Sequence, residues 1–588
     1  MLTSPFDRER FVGYVSSVTA TSACITFPNA KLLDRFYYDG DILQGGLVGN
    51  YVIIEGYGTG LLAKTIRVEL SDKNTTYNSL ANLKESTSHP VAIVEFQLSF
   101  DSFSLEGQGA GIEQYPEIGA KAYACPASIL SKLIDDFGRP KDSTNPPDDL
   151  IELACLDANP SKRIRVSANA LLSRHCAIVG TTGSGKSYTL GKIIEELCQK
   201  ESTKILLLDA TGEFSNFGTQ DYSNKLELGD NGDSYFPYQQ LNESDLFAMF
   251  RPSGQVQEPI LQDAIRSLKL AKASPDSDIV SDGLIKKEGL EKAKFRSLYD
   301  KHIEVIEESS ADFDISKLTQ QIEYECIWDV ANYGKDPLHW GGRNDSHVNN
   351  CSSLVMRISN LRAKSDISQL FGLNDESTKD KKNFKDEFIE FYKSQGKKLM
   401  VLDISKVSSE ANVKDIFSNS IGRYFLEELR KQNTDFAEFK NKPLILVVDE
   451  AHQIFETSKV RDEYSNEYRL DAFEKLAKEA RKFGLFLCLS TQRPADIPAG
   501  VLSQMGTFIA HRLINERDIQ AIRNSVQDSS AGVLSFLPSF KRGQALLTGN
   551  EFPMPIVIQT NEIYGVRPES NTPVLFKQPR VMEPVNNG

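Results

Sequence analysis

The sequence predicts a protein of the α/β class, with a mainly parallel sheet that carries a helical insertion and follows a small N-terminal β-barrel. Apolar strands alternate with helical stretches from His175 onward, a long charged segment of helical rhythm interrupts them, and glycine-broken alternating runs precede them. We expect the barrel and a linker in residues 1–150 and the α/β core in 151–560, with its insertion at about 221–397. An extended, proline-containing tail is expected in 561–588.

The barrel is predicted from short runs of alternating apolar residues with glycines at the turns between them. The predicted strands are 11–15, 23–27, 51–55, 61–66 and 91–96. A Pro-rich linker or exposed loop follows at 139–147. Nothing in these runs identifies a ligand, so a structural cap is favoured over a ligand-binding barrel.

The core strands are predicted from apolar runs of strand length. They are 176–179, 205–209, 399–403, 444–448 and 485–489. Because these runs are apolar almost throughout, both faces of the sheet should be covered.

Composition excludes several classes of protein. The 588 residues include 67 Lys and Arg against 81 Asp and Glu, a net charge of −14, so any nucleic-acid surface must be local. With 40% hydrophobic residues the chain has enough apolar content to fold. No signal peptide or membrane-length apolar run is visible, and the eight cysteines lack metal-site spacing. We therefore expect a cytoplasmic protein with reduced cysteines and no membrane partner.

A phosphate-binding loop is predicted where the first core strand meets the following helix. Residues 180–187 match the pattern G-x-x-x-x-G-K-[ST], and 190–198 then follow at helical spacing. Backbone N–H groups and the positive end of the helix would cradle phosphates there. The predicted nucleotide-binding residues are Gly180, Thr181, Thr182, Gly183, Ser184, Gly185, Lys186, Ser187 and Tyr188.

Two carboxylates follow the strand 444–448 and are predicted to complete the site. Ser187 and Asp449 would hold Mg²⁺, and Glu450 would polarise the water that attacks the γ-phosphate of ATP. Gln492, just after the strand 485–489, stands where a γ-phosphate sensor is expected. An acidic loop without a catalytic role is the alternative interpretation of the two carboxylates.

Arg481 allows two interpretations. It ends an amphipathic helix, and Gly484 suits a helix C-cap, so its charge could simply complement the helix dipole. The other interpretation is a catalytic role at a neighbouring subunit's site.

These residues together resemble the HerA branch of the HerA/FtsK ATPases. The resemblance covers nearly the whole chain, with the most specific motifs in the core. The motifs are HCAIVGTTGSGKS at 175–187, DATGEF at 209–214, VDEAH at 448–452, RKFG at 481–484 and TQRP at 491–494.

The resemblance implies a RecA-like P-loop ATPase core in a homohexameric ring, with ATP and Mg²⁺ bound between subunits and duplex DNA in the central channel. Lys186, Ser187, Asp449 and Glu450 would form one half of the site. Arg481 would be the arginine finger offered to the neighbour's nucleotide, and Arg174 a second arginine reaching the same phosphates. Glu213 would support the attacking water.

The sequence departs from the family pattern in two places. The second motif reads Asp-Ala-Thr-Gly-Glu where many relatives have Asp-Pro-His-Gly-Glu, so roles for Ala210 and Thr211 do not transfer. The insertion 454–469, with Lys459, Arg461 and Arg469 among acidic residues, is equally compatible with a pore loop and a solvated loop.

The leading hypothesis is an ATP-driven DNA translocase or helicase that acts with a partner nuclease or other effector, in anti-phage defence or DNA end processing. The resemblance implies an effector, such as a NurA-like nuclease or a sirtuin-like NADase, docked at the barrel. The alternative is a nucleotide-gated ring scaffold that activates its effector without productive translocation. A conjugation-type coupling ATPase is disfavoured, because such proteins usually carry an N-terminal membrane anchor.

Overall fold

The computed structural model describes most of the chain. The described residues are 4–39, 41–70, 89–105, 112–135, 137–138, 149–157, 159–201, 203–408, 412–430, 442–455, 459–461, 467–526 and 531–569. The predicted linker at 139–147 and the tail beyond 569 lie outside them. Within these ranges, no helix combines the length and the apolar character needed to cross a bilayer.

The N-terminal part forms a closed antiparallel barrel, as predicted. Its strands are β1 (Phe11–Val18), β2 (Ser22–Thr26), β3 (Arg35–Tyr38), β4 (Asp41–Gln44), β5 (Tyr51–Glu55), β6 (Thr59–Leu70), β7 (Pro90–Asp101) and β8 (Lys121–Ala124). Six of the described strands close the barrel in the order β1-β2-β7-β6-β5-β8, while β3 and β4 pair as a separate hairpin. All five predicted barrel strands fall on observed ones.

A short helix then leads into the first part of the α/β core. The elements are α1 (Ala127–Leu133), β9 (Leu150–Leu156), β10 (Asn159–Ser167), α2 (Ala168–Leu172), β11 (Cys176–Val179), α3 (Lys186–Cys198), β12 (Lys204–Asp209) and β13 (Ser223–Gly229). Because β13 pairs with the main sheet, the helical part of the insertion begins after Gly229 rather than at about 221.

The insertion is mainly helical. It contains β14 (Ser234–Tyr235), α4 (Glu243–Phe250), α5 (Gly254–Ala273), β15 (Val280–Ser281), β16 (Leu284–Ile285), α6 (Lys292–Lys301), α7 (Ile303–Ile306), α8 (Leu318–Glu325), α9 (Ala331–Gly334), α10 (Asp345–Ala363), α11 (Ser365–Phe371), α12 (Asp375–Thr378), β17 (Lys382–Asn383) and α13 (Phe384–Lys393).

The chain then returns to the sheet and completes it. These elements are β18 (Leu399–Lys406), α14 (Val413–Arg430), β19 (Leu444–Val448), α15 (His452–Phe455), β20 (Lys459–Arg461), β21 (Glu467–Arg469), α16 (Ala472–Glu479), β22 (Leu485–Thr491), α17 (Ala499–Leu502), β23 (Thr507–His511), α18 (Glu516–Ser525), α19 (Ala531–Leu534), β24 (Gln544–Gly549) and β25 (Ile556–Thr560).

The described part of the main sheet has eleven strands in the order β10-β9-β25-β24-β23-β11-β22-β19-β12-β18-β13. The pairs from β13 to β23 are parallel, and those from β23 to β10 are antiparallel. The prediction of a mainly parallel sheet with all five core strands is confirmed. The antiparallel extension, which includes β9 and β10 ahead of the first predicted core strand, is an addition.

Both faces of the sheet are buried, as the apolar strands predict. In β12, Leu206 and Leu208 pack into one hydrophobic cluster while Ile205 and Leu207 pack into another. Successive side chains of a strand point to opposite faces, so these clusters lie on the two sides of the sheet. Because both faces of the sheet are covered, a site can form only at the ends of the strands.

A buried ion pair joins the insertion to the core. Asp245, near the start of α4, accepts hydrogen bonds from Arg423 and Asn419 of α14, and it forms a capping box with Asn242. The side chains of Asp245 and Arg423 are 1% and 12% exposed. Arg423 also lies 3.3 Å from Oε1 of Glu427, which is 35% exposed, so loss of Asp245 leaves the buried guanidinium with one partly exposed counter-charge.

We expect Asp245→Ala to lower the free energy of unfolding by about 3 kcal/mol, because it leaves the buried Arg423 guanidinium with Glu427 as its remaining charged partner. Chemical denaturation followed by circular dichroism measures this loss. The double variant Asp245→Leu, Arg423→Met removes both charges and should recover much of the stability. A double variant no more stable than Asp245→Ala would contradict this account.

Candidate functional site

The phosphate-binding loop connects β11 to α3 at the carboxyl edge of the sheet. Its glycines allow close backbone approach: a Cβ added at Gly180 would lie 2.6 Å from the Cβ of His511, and one at Gly185 would lie 3.1 Å from the Cα of Gly543. The N–H of Thr181 donates to the carbonyl of Arg512 at 2.9 Å. The loop is thus held against β23, with space for phosphates on its other side.

A hydrogen-bonded wall supports the loop from behind. His511 is fully buried; its Nδ1 donates to the carbonyl of Gln544 at 2.9 Å, and its Nε2 accepts from the Thr189 hydroxyl at 2.9 Å. The Thr189 hydroxyl also meets Thr560 at 2.8 Å. Burial lowers the pKa of His511 to about 4, so the ring stays neutral and both bonds persist at physiological pH.

The two predicted carboxylates stand directly after β19. Lys186 is buried, with its Nζ 3.9 Å from Oε1 of Glu450. The backbone of Glu450 has φ of 45°, a left-handed conformation that non-glycine residues rarely adopt and that often marks a functional site. This turn directs the Glu450 carboxylate toward the loop.

Glu450 is held in its charged form. Burial raises the pKa of Glu450, but the neighbouring His452, whose Nδ1 lies 3.2 Å from Oε2, and the charge of Lys186 outweigh it. Its pKa therefore falls below the usual value. An ionised carboxylate next to a phosphate-binding lysine can accept a proton from water.

The surroundings of Asp449, in contrast to those of Glu450, raise the pKa of its carboxyl group. It is 1% exposed, and neither carboxylate oxygen has a hydrogen-bond partner among the described residues. Burial, together with the nearby charges of Glu450 and Asp209, raises the pKa of Asp449 to about 8. A buried carboxylate without partners beside a phosphate loop fits a magnesium ion, held directly or through its waters. The residues present therefore suit an ATP–Mg²⁺ complex.

The second motif forms a tight loop that presents Glu213. The Asp209 carboxylate accepts from the N–H groups of Gly212 at 2.8 Å and Phe214 at 2.9 Å, and burial raises its pKa to about 6. Lys414 of α14 donates to the carbonyl of Ala210 at 3.1 Å. These bonds fix the loop beside the phosphate-binding loop.

Part of the predicted site lines one cavity of about 210 Å³, whereas Gly180, Thr181, Ser184, Asp449, Glu450 and Gln492 lie outside its lining. Its lining includes Thr182, Gly183, Gly185, Lys186, Ser187, Tyr188 and Glu213. Gln492, at the end of β22, accepts a hydrogen bond from the Thr182 hydroxyl and so contacts the loop. The structure thus brings the predicted residues of one half-site together.

Two further charged residues line this cavity that the sequence did not indicate. Arg542 reaches it from the turn before β24, and Glu569 from the segment after β25. Residues 561–569 lie along α3: the N–H of Ile563 donates to the Tyr188 hydroxyl at 2.8 Å, and that of Glu569 to the carbonyl of Glu213 at 2.8 Å. Neither Arg542 nor Glu569 lies in a recognisable sequence motif. His452, in contrast, lies in the VDEAH motif and could have been identified from the sequence.

The structure does not bring Arg174 and Arg481 to this cavity. Both lie at the amino edge of the sheet, because Arg174 precedes β11 and Arg481 precedes β22. The seven residues of β22 alone span about 23 Å, so Arg481 is far from Gln492 at the other end. Neither arginine can contact nucleotide bound to its own chain.

The two arginines instead share a second cavity, of about 190 Å³, with Lys478. Nε of Arg174 pairs with Oε1 of Glu551 at 2.7 Å. Arg481 is exposed and forms no ion pair with a described carboxylate. The amino edge therefore presents a compact group of cations to its surroundings.

The candidate pore segment 454–469 includes the antiparallel hairpin of β20 and β21. Residues 456–458 and 462–466 lie outside the described part of the chain. Its role as a pore loop stays a prediction.

Comparison with known proteins places this site in a family. Residues 153–411 match the model of the helicase HerA central domain, and 390–575 match that of the helicase HerA-like C-terminal domain. A probable helicase of Methanocaldococcus jannaschii is 24% identical over 71% of this chain and 71% of its own length. The DNA double-strand break repair helicase HerA of Pyrococcus furiosus is 22% identical over 72% of each chain. The solved VirB4 of Thermoanaerobacter pseudethanolicus aligns over 71% of this chain and 98% of its own, with 13% identity and a TM-score of 0.45.

A phosphate-binding loop between a parallel strand and a helix, with a lysine and two carboxylates at the same end of the sheet, defines a P-loop ATPase, and the predicted α/β fold class is confirmed. The two matched domains together span 153–575, and the chain belongs to the HerA family of helicases.

We expect Gly180→Ala to weaken nucleotide binding at least tenfold, because its methyl group would displace the loop from the Cβ of His511. Titration with a fluorescent ADP analogue measures the affinity. Gly396→Ala, outside the loop, is the control, since a Cβ there meets nothing within 4 Å and its backbone is not left-handed. Equal affinities for the two variants would show that the contact with β23 does not shape the loop.

Proposed function

We propose that this chain assembles as a homohexameric ring, hydrolyses ATP at sites shared between adjacent subunits, and uses hydrolysis to move duplex DNA through the central channel. The observation that carries the proposal is the separation of the site into two halves. Lys186, Asp449 and Glu450 lie at one edge of the sheet, while Arg174 and Arg481 lie at the other. Only a second subunit can join them.

The half-site assigns a role to each residue. Lys186 would neutralise the β- and γ-phosphates, and the ionised Glu450 would take the proton of the attacking water. Ser187 and Asp449 would hold Mg²⁺, which supplies positive charge to the phosphates when bound. Gln492, hydrogen-bonded to Thr182 of the loop, is placed to respond to the γ-phosphate.

In this proposal, the neighbouring subunit supplies a positive charge that the half-site lacks. An arginine finger stabilises the negative charge that develops during phosphoryl transfer and is worth about 10³ to 10⁵ in rate. Arg481 is exposed and free of described acidic partners, which suits a residue used outside its own subunit. Glu213 is proposed to support the attacking water from the loop fixed by Asp209.

DNA and effector binding extend the proposal. The net charge of −14 requires DNA contacts to be confined to the channel, where a ring can concentrate its basic residues. We place the protein in the cytoplasm, where its eight unpaired thiols would stay reduced. It would act there with a nuclease or another effector, in anti-phage defence or DNA end processing.

A second candidate function is a nucleotide-gated scaffold, and the barrel favours it. Tyr57, Phe103 and Ile118 are 95%, 81% and 74% exposed on loops at one end of the barrel. The Ser102 hydroxyl donates to the carbonyl of Gly58 at 2.9 Å, which holds two of these loops together. Exposed aromatic residues in a group are typical of protein-binding surfaces. We call Tyr57, Phe103 and Ile118 the barrel rim and propose that the effector docks there.

Mixing two inactive variants tests the shared site. Arg481→Ala keeps its own half-site but offers no finger, whereas Glu450→Gln offers a finger but cannot activate water. Each alone should lose at least about 10³-fold in ATP turnover. Mixed subunits should regain measurable turnover in a steady-state phosphate-release assay. If every ratio of the two stays inactive, the site is not shared in this way.

Lys186→Ala separates translocation from scaffolding. If movement along DNA is the essential activity, this variant should lose ATP turnover, duplex unwinding and protection of cells against phage together. Phe103→Ser, on the barrel rim, is the matched counterpart: it should keep ATP turnover and lose protection, because the effector no longer docks. Full protection by Lys186→Ala would refute the motor and leave the scaffold.

A further inference from the structure

A buried histidine connects the two arginines of the amino edge. His175 follows Arg174 directly and precedes β11; it is 1% exposed and has φ of 63°. Its ring lies between the end of α16 and the start of β22, the two elements that flank Arg481. The nucleotide half-site of its own chain makes no use of it.

Both ring nitrogens are engaged, and their roles are fixed. The N–H of Leu487 in β22 donates to Nδ1 at 2.8 Å, so this nitrogen carries no proton. Nε2 therefore carries the proton and donates to the carbonyl of Ala477 at 3.1 Å. Burial, with a smaller contribution from the charge of Arg481, lowers the pKa of His175 to about 4 despite the hydrogen bond to Ala477, so the ring keeps one donor and one acceptor at neutral pH.

The bond to Ala477 controls the segment that carries Arg481. Ala477 is in the last turn of α16, where helix carbonyls lack partners within the helix. The chain then tightens into the 3₁₀ turn Ala480–Phe483, which contains Arg481. By holding this carbonyl, His175 sets where the helix ends and where the Arg481 side chain leaves it.

The backbone of the same pair of residues fixes Arg174. The carbonyls of Arg174 and His175 accept from the N–H of Gly506 at 2.6 and 3.2 Å, and that of His175 also accepts from Thr507. Gly506 packs so closely that an added Cβ would lie 2.2 Å from the Cβ of Arg174. One short segment thus anchors Arg174 through its backbone and Arg481 through the imidazole ring.

We propose that His175 is a positioning residue that fixes the relative placement of Arg174 and Arg481, so that both guanidinium groups meet the neighbouring subunit's triphosphate as one unit. The inference rests on the shared site proposed above. It assigns His175 to the site of the next subunit rather than to that of its own chain. A residue that only filled the core would need no such pairing of donor and acceptor at the ends of two elements.

Two substitutions each keep one of the two bonds. In His175→Asn the amide oxygen can replace Nδ1 as acceptor for Leu487, and Asn tolerates the left-handed backbone, but the bond to Ala477 is lost. In His175→Gln the longer amide can still donate to Ala477. We expect His175→Asn to lower kcat about 10²-fold, the cost of misplacing a catalytic group by about 1 Å, with the affinity for ADP unchanged. His175→Gln should recover part of the loss.

Mixing with Glu450→Gln distinguishes a positioning role from a structural one. A His175→Asn subunit keeps its own half-site, so arginines offered by a Glu450→Gln neighbour should restore turnover. His511→Asn is the matched control, because His511 is equally buried but supports the phosphate-binding loop of its own chain. Its mixture with Glu450→Gln should stay inactive. Native mass spectrometry and melting temperatures check the assembly of each variant.

The outcomes separate this inference from the shared site itself. If the Arg481→Ala and Glu450→Gln mixture regains turnover but His175→Asn alone is fully active, the shared site stands and the role of His175 is refuted. It is equally refuted if the His175→Asn mixture stays inactive, or if neither His175 variant forms the wild-type assembly. If the Arg481→Ala mixture stays inactive, the proposed function fails first.

Discussion

The direction of the strands in one parallel sheet determines which site residues can meet within a single chain. Parallel strands gather all their carboxyl ends at one edge and all their amino ends at the other, several strand residues away. The phosphate-binding loop, the two carboxylates and Gln492 follow strands and therefore meet. Arg174 and Arg481 precede strands and are therefore kept apart from them. The separation of these two groups of residues within one chain is a property of the topology, not of loop flexibility.

The core strands and the phosphate-binding half of the site could be predicted, because their signals are local in sequence. A glycine-rich turn after an apolar strand, and two acids after another, need only the strand direction to be placed in space. The five core strands were found because burial on both faces makes them apolar throughout. Gly484 marks the end of the helix that carries Arg481. Once β22 is recognised as the next strand, Arg481 must lie at its amino end, far from the phosphates.

What could not be predicted depends on contacts between distant segments. Ser223–Gly229 has only two large apolar side chains, Leu226 and Leu228, separated by Glu227, and so lacked the run that marked the other core strands. Arg542 and Glu569 come to the cavity only because β24 and β25 extend the sheet beside β23. The ring of His175 likewise gains its significance from Ala477 and Leu487, about three hundred residues away, and no spacing rule connects them.

The shortness of β11 has a mechanical consequence. Four residues separate His175, which follows Arg174, from Gly180, which opens the phosphate-binding loop, and this strand is hydrogen-bonded on both sides within a fully covered sheet. Such a segment is short and held on both sides, so we expect a displacement at one end to be transmitted to the other. In a closed ring of the proposed kind, β11 would connect the two catalytic interfaces of its subunit. Consecutive interfaces would then be mechanically coupled through a single strand.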